Sequence, residues 1–178
     1  MIYDITQEVF AGRVYPGDPR PRFTRLKSFA AGDQSTVTEI TMQVHAATHI
    51  DAPIHRVQGG VGAAEIALEK CIGPCEVIDY HDRARLLETD ARRILFIHCE
   101  DIDEETAQLL VEKGVFFVGV QGQSVGNRAV HRTLLENEVA VLEGAALDDV
   151  PAGEYQLYAP PVPLGGCDGA PCRAVLIK

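Results

Sequence analysis

Tryptophan is missing from this chain of 178 residues, so no indole is available to stack on a ligand and such a contact would fall to a smaller ring. Long apolar runs are missing as well. Stretches such as Val115 to Val120 fall far short of the roughly 20 residues needed to cross a bilayer, so no membrane span is expected. The opening residues, Met1 to Thr6, carry an acid at Asp4 and no basic-then-apolar leader, and the expected location is cytoplasmic. Positive charge is scarce: 16 Lys and Arg stand against 26 Asp and Glu, a net charge of −10. The cations are scattered apart from a modest group at Arg20, Arg22, Arg25 and Lys27. Such a field repels a polyanion, because affinity for phosphate backbones comes from cations that displace counterions, so a small molecule rather than nucleic acid is the expected partner. Cysteines are few and odd in number, at 71, 75, 99, 167 and 172, in a chain long enough to fold without staples, which fits a reducing compartment. The pairs Cys71/Cys75 and Cys167/Cys172 are poorly spaced for a zinc knuckle and sit at Gly/Pro turns. Structural thiols are the expectation.

What is present suits a folded unit. Apolar residues make up 46 % and charged residues 24 %, near the values for soluble globular chains, and the length matches one domain spanning residues 1–178. The first part reads as strands: Ile2 to Thr6 is β-prone, and Ser35 to Val44 alternates at period two. Tyr15-Pro16-Gly17-Asp18-Pro19 between them is a turn. Further on, Glu76 to Tyr80, Ile94 to Cys99, Val115 to Val120, Ala140 to Leu142 and Ala174 to Ile177 are dense apolar runs of the kind buried on both faces. Helices fit between them. One opens at the acids Asp103-Glu104-Glu105 and closes at Lys113-Gly114, and a second runs from about Asn127 to Glu136. A β-rich start followed by β-α-β-α-β predicts an α/β layered architecture.

Residues 45–55 carry the chemistry. His45-x3-His49-x-Asp51-x3-His55 gathers three of the six histidines into eleven residues, where even scattering would place about 0.4 of one. Imidazoles with a carboxylate at this density suit zinc or manganese. Pro53 and the position of Asp51 exclude one uninterrupted helix, so an irregular turn after a strand is expected to aim the ligands. His98, inside an apolar run, reads as a hydrogen-bonded core or edge histidine, and His81 as exposed.

The motif His45-x2-Thr48-His49-x-Asp51-x-Pro53-x-His55 resembles the signature of the cyclase-type metal-dependent hydrolases, which include bacterial kynurenine formamidases (arylformamidases) and isatin hydrolase. The likeness extends to Tyr15-Pro16-Gly17-Asp18, Gln123-Ser124-Val125, His131-Arg132-Thr133-Leu134-Leu135, Val141-Leu142-Glu143 and Asp168 to Ala174. It implies a swivelling β/β/α fold and a homo-oligomer, a dimer or tetramer. It also implies a site with two divalent ions, zinc or alternatively manganese. His45, His49 and Asp51 would hold one ion, and Asp51, His131 and Glu143 the other. His55 would give and take the proton, while Tyr15 and Thr48 would contact substrate. The implied activity is hydrolysis of a small linear amide such as N-formylkynurenine by a hydroxide that two such ions generate at neutral pH.

The chain departs from the family pattern in three places, the last two of which bear on substrate. Ala47 replaces the usual glycine before Thr-His, which permits a tight turn if its φ is negative. Gln121 and Gly126 stand where the family often carries aspartates. Tyr15 stands where formamidases commonly place a tryptophan. A cyclic amide or lactone is therefore the alternative substrate, and a non-catalytic metal-dependent binding protein is the alternative of another class.

Overall fold

The computed structural model describes residues 1–178. Its strands are β1 (Ile2–Asp4), β2 (Arg22–Lys27), β3 (Val37–Thr41), β4 (His49–Asp51), β5 (Ile72–Asp79), β6 (Arg93–Ile97), β7 (Phe117–Gly119), β8 (Ala140–Glu143), β9 (Gly153–Tyr158), β10 (Gly169–Pro171) and β11 (Val175–Ile177). The helices are α1 (Leu68–Cys71), α2 (Arg83–Glu88), α3 (Glu104–Glu112) and α4 (Arg128–Glu136). Nine strands form one mixed sheet in the order β1-β11-β9-β5-β6-β7-β8-β4-β10. The centre, β5-β6-β7-β8, is parallel, and the flanks on both sides are antiparallel.

The dense apolar runs explain the parallel centre. Alternate residues point to opposite faces of a strand, and here both sets are apolar. Val77, Leu95, Phe117 and Leu142 join one core with Ile5, Ile50, Leu157 and Leu176. Ile78, Ile94, Phe96, Val118 and Val141 join a second core with Leu86 of α2, Leu110 of α3 and Val130, Leu134 and Leu135 of α4. Each fully buried Leu, Ile or Phe contributes about 1.5–3 kcal/mol of transfer free energy, so a sheet with two apolar faces must be covered twice.

The two longer helices begin and end where their residues direct. Asp103 caps α3 by accepting from Thr106 N at 2.7 Å, Glu104 and Glu105 fill its first turn, and Gly114 follows with φ +69°. Asn127 caps α4 by accepting from the amides of Ala129 and Val130. The buried face of α4 is Val130, His131, Leu134 and Leu135, which carries His131 onto the sheet.

Four strands, β2, β4, β9 and β10, lie outside the expected set. β9 alternates exposed and buried residues, with Tyr155 and Leu157 inward. β2 pairs with β3 in a separate ribbon whose eleven residues are all exposed, including Phe23, Leu26, Val37 and Ile40. His98 departs from its expectation as well. β6 ends at Ile97, and His98 takes φ +56° and turns outward to bond Asp79 Oδ2 at 2.9 Å, so it is hydrogen-bonded but not in the core. All five cysteines are free, and burial pushes the thiol of Cys71 up to about 11 and those of Cys75, Cys99 and Cys172 up to about 12. No helix is long and apolar enough to cross a membrane.

Candidate metal centre

Sheet geometry assembles the site. β4 lies between β8 and β10, with His49 in register with Glu143 and Asp51 with Gly169. Directly opposed residues on neighbouring antiparallel strands project to the same face, and residues two apart on one strand do too. His49, Asp51 and Glu143 therefore share a face, and it is the face that α4 covers. The expected irregular turn is present, but it precedes β4 and holds only His45, while His49 and Asp51 sit on the strand itself. His55 ends the short 3-10 turn Pro53–His55 that follows.

The groups converge closely. His49 Nε2 lies 3.3 Å from Asp51 Oδ1 and 3.3 Å from Glu143 Oε2. His131 Nε2 lies 3.0 Å from Glu143 Oε1 and 3.5 Å from Asp51 Oδ2. His45 Nδ1 lies 2.9 Å from Asp51 Oδ1. The rings of His45 and His55 are 4.4 Å apart, and those of His55 and His131 5.8 Å. Two triads bring ligating atoms within 4.8 Å of one another around the aspartate: His45-His49-Asp51 and Asp51-His55-His131.

The histidines are aimed by groups behind them. His49 Nδ1 donates to Ala47 O at 3.0 Å and His131 Nδ1 to Asn127 O at 3.1 Å, which leaves each Nε2 for the cluster. Ala47 reaches His49 because its φ is +56°, not negative as the sequence reading required. The left-handed turn throws its carbonyl back over β4. Glu143 is fixed in turn by Val125 N, which donates to Oε1 at 2.6 Å.

Charge balance in the cluster is strongly coupled. Burial works against the His49 imidazolium, yet Asp51 and Glu143 outweigh it and raise the group to about 10. Burial works against ionisation of Asp51 too, and the imidazoles of His45 and His49 beside it overcome that and lower the carboxyl. His45 and His131 are raised in the same way, against burial, by Asp51 with Asp168 and by Glu143 with Asp51 respectively. His55 is different: burial dominates and lowers it.

Two atoms in the middle have no partner. His49 Nε2 and Asp51 Oδ2 are buried and make no hydrogen bond, and leaving such atoms unpaired costs about 1–3 kcal/mol each. Imidazole nitrogens and carboxylate oxygens turned inward on a common point are the donor set of a zinc or manganese site, so the residues present fit a divalent cation.

The cluster floors a cavity of ≈ 370 Å³, a size suited to a small molecule. His45, His55, His131 and Glu143 form its base, and Tyr15, half exposed, stands on its wall. Thr48 is placed differently from its expected role in substrate contact. It is buried, its hydroxyl accepts from Gln7 N at 2.8 Å and donates to Gly144 O at 2.6 Å, and it does not line the cavity. Reading the sequence missed Arg56, Arg128, Asp18 and Gln123 on the wall and Asp168 behind the histidines. Asp18, Gln123 and Asp168 stand inside segments that carry the resemblance, which was the available signal, whereas Arg56 and Arg128 only stand close to His55 and His131 in the chain. A larger crease of ≈ 850 Å³ runs beside β5 and β9, but its Glu76 is spent on Arg85 and Thr89, and its Arg93 on the carbonyls of Glu69, Lys70 and Pro74.

The chain was compared with known proteins. A family described as "Putative cyclase" matches residues 3–106. The kynurenine formamidase of Erythrobacter litoralis (strain HTCC2594) is 33 % identical across 98 % of this chain and 93 % of its own length. That of Salinibacter ruber (strain DSM 13855 / M31) is 31 % identical across 98 % and 96 %. A solved structure described as a potential metal-dependent hydrolase with cyclase activity superposes with a TM-score of 0.84 at 30 % identity, covering 99 % of this chain and 96 % of that one.

Proposed function

The chain belongs to the cyclase family, and from that premise we propose that it is a metal-dependent hydrolase of a small linear amide, a formamide of the N-formylkynurenine type. The observation that carries this reading is the pair of buried atoms without a hydrogen bond, His49 Nε2 and Asp51 Oδ2, in the cluster whose His45, His131 and Glu143 line the cavity. In the proposed arrangement His45, His49 and Asp51 hold one divalent ion, and Asp51, His131 and Glu143 hold a second. Zinc suits these donors, and manganese is the other candidate. When bound, such ions supply Lewis acidity that polarises a carbonyl and lowers the pKa of water.

The chain's own residues do the rest. His55 faces the cavity with Nδ1 near Asp168 Oδ2 at 3.3 Å, which leaves Nε2 to take a proton from the attacking water and pass it to the leaving nitrogen. Tyr15 offers a ring against which an aryl group packs. Arg56 and Arg128, on the wall, make no ion pair with any carboxylate of the chain, which supports a substrate bearing a carboxylate of its own. The exposed β2–β3 ribbon supports assembly as a homo-oligomer, since an isolated two-stranded ribbon is marginal in water.

The test is a substrate panel with metal-loaded protein: N-formylkynurenine, isatin, and neutral lactams and lactones. The expected result is turnover of the formamide, with His55→Ala keeping its metal and losing about 10²- to 10⁴-fold in rate. Preference for isatin or a lactone would replace the linear-amide reading with ring opening. Small-molecule binding without hydrolysis of anything in the panel would make the protein a binding protein, and metal loss in His55→Ala would make His55 a ligand.

A further inference from the structure

Asp168 lies just before β10, more than a hundred residues from the histidine motif, and is brought to it by the pairing of β10 with β4. Its backbone carbonyl accepts from Ala52 N at 3.0 Å, which fixes the main chain beside β4. Its side chain then reaches two imidazoles with one oxygen: Oδ2 is 2.9 Å from His45 Nε2 and 3.3 Å from His55 Nδ1. The next residue, Gly169, completes the seat. A Cβ there would stand 2.9 Å from His45 Cε1 and 2.9 Å from Ile50 O, so only glycine lets the His45 ring lie against this strand.

The two nitrogens of an imidazole point to opposite sides of the ring. His45 Nδ1 is turned to Asp51, on the side of the unpartnered buried atoms, and Asp168 takes the other nitrogen. Asp168 thus sits on the outer side of His45, where a carboxylate fixes ring orientation and tautomer rather than sharing the ion held on the inner side. Half of its side chain is exposed, in contrast to the buried Asp51 and Glu143.

We infer that Asp168 is a positioning residue that acts on two histidines at once, holding His45 with Nδ1 toward the metal cluster and His55 with Nε2 toward the cavity. The inference rests on the metal-centre reading above and not on the choice of substrate. It makes ligand and proton carrier share one support, so that displacing the carboxylate disturbs both.

The experiment compares wild type, Asp168→Asn and Asp168→Ala in zinc competition against a chromophoric chelator, and in two-bond ¹H–¹⁵N correlation spectra of the zinc-loaded proteins. Asp168→Ala is expected to keep the wild-type zinc stoichiometry at saturation but to bind about 10- to 100-fold more weakly. Asp168→Asn, which keeps one neutral acceptor and the same shape, is expected to fall between the two. The spectra of the wild type should show His45 protonated at Nε2 and His55 at Nδ1, with both patterns lost in Asp168→Ala. Unchanged affinity in both variants would overturn the inference, as would loss of a whole zinc equivalent at saturation, which would make Asp168 a ligand. A wild type that binds no zinc would sink the metal-centre reading and this inference with it. If wild type binds and the variants match it, only the inference falls.

Discussion

Loading the centre with zinc should expel protons, and the number follows from His49. In the metal-free protein its imidazolium is held by Asp51 and Glu143 against the cost of burial, with a pKa of about 10. At pH 7.5 the ring is therefore protonated, and the Nε2 lone pair must be freed before it can bind a cation. The gap from about 10 to pH 7.5, at about 1.36 kcal/mol per pK unit, sets about 3 kcal/mol of proton competition against metal binding. Isothermal titration in buffers of different ionisation enthalpy should show release of at least about one proton per centre, and apparent affinity should climb roughly tenfold per pH unit between about 7 and 9. The same linkage acts on folding. The folded-state pKa of His49 is raised above its unfolded value of 6.5, so this stabilisation is full below pH 6.5 and is lost as pH rises through about 10. The metal-free protein should lose stability over that alkaline window, and the zinc-loaded protein should not. Buffer-independent heats with an affinity flat in pH would refute the reasoning, because they would mean that the metal-free cluster holds no proton at His49.

Other expectations concern the frame around the centre. Thr48→Val should lower unfolding free energy by about 1–3 kcal/mol in urea titration with KM unchanged, because Gln7 N and Gly144 O lose their partner; a raised KM at native stability would restore a substrate role. Ala47→Gly should be neutral or stabilising by up to about 1 kcal/mol, since it relieves a left-handed alanine at about 1–2 kcal/mol and loses part of that to unfolded-chain entropy; clear destabilisation in the same titration would count against the left-handed turn. Light scattering coupled to size exclusion should give a mass above the 19.3 kDa of one chain, and Phe23→Glu with Ile40→Glu on the ribbon should reduce it to a monomer. A monomeric wild type would end the homo-oligomer proposal.

Local pattern carried much of this architecture. The five apolar runs expected as strands all contain strands, and both longer helices start at the residues whose side chains cap them. β2 escaped notice because its apolar residues, Phe23 and Leu26, fall three apart and lack the period-two alternation that marked its partner β3, whereas β9 does alternate and was legible in Tyr155 and Leu157. In the site, the histidine motif stood out because four of its members lie within eleven residues. His131 and Glu143 came only through family resemblance, since what joins them to His49 is the antiparallel register of β4 with β8 and the buried face of α4. Thr48 was misread for the same reason: its partners, Gln7 and Gly144, are distant in the chain. The sign of φ at Ala47 and the end of β6 before His98 are tertiary outcomes that alanine and histidine do not announce.

The position of β4 between β8 and β10 has a consequence for synthesis. The motif leaves the ribosome early, but neither neighbour of β4 exists until about 90 and 120 residues later. At about 5–20 residues per second, the nascent chain carries its histidines without their sheet partners for on the order of 6–24 s. A cation captured in that interval can be held only by local donors, so the complete coordination set waits for α4 and β8 to emerge.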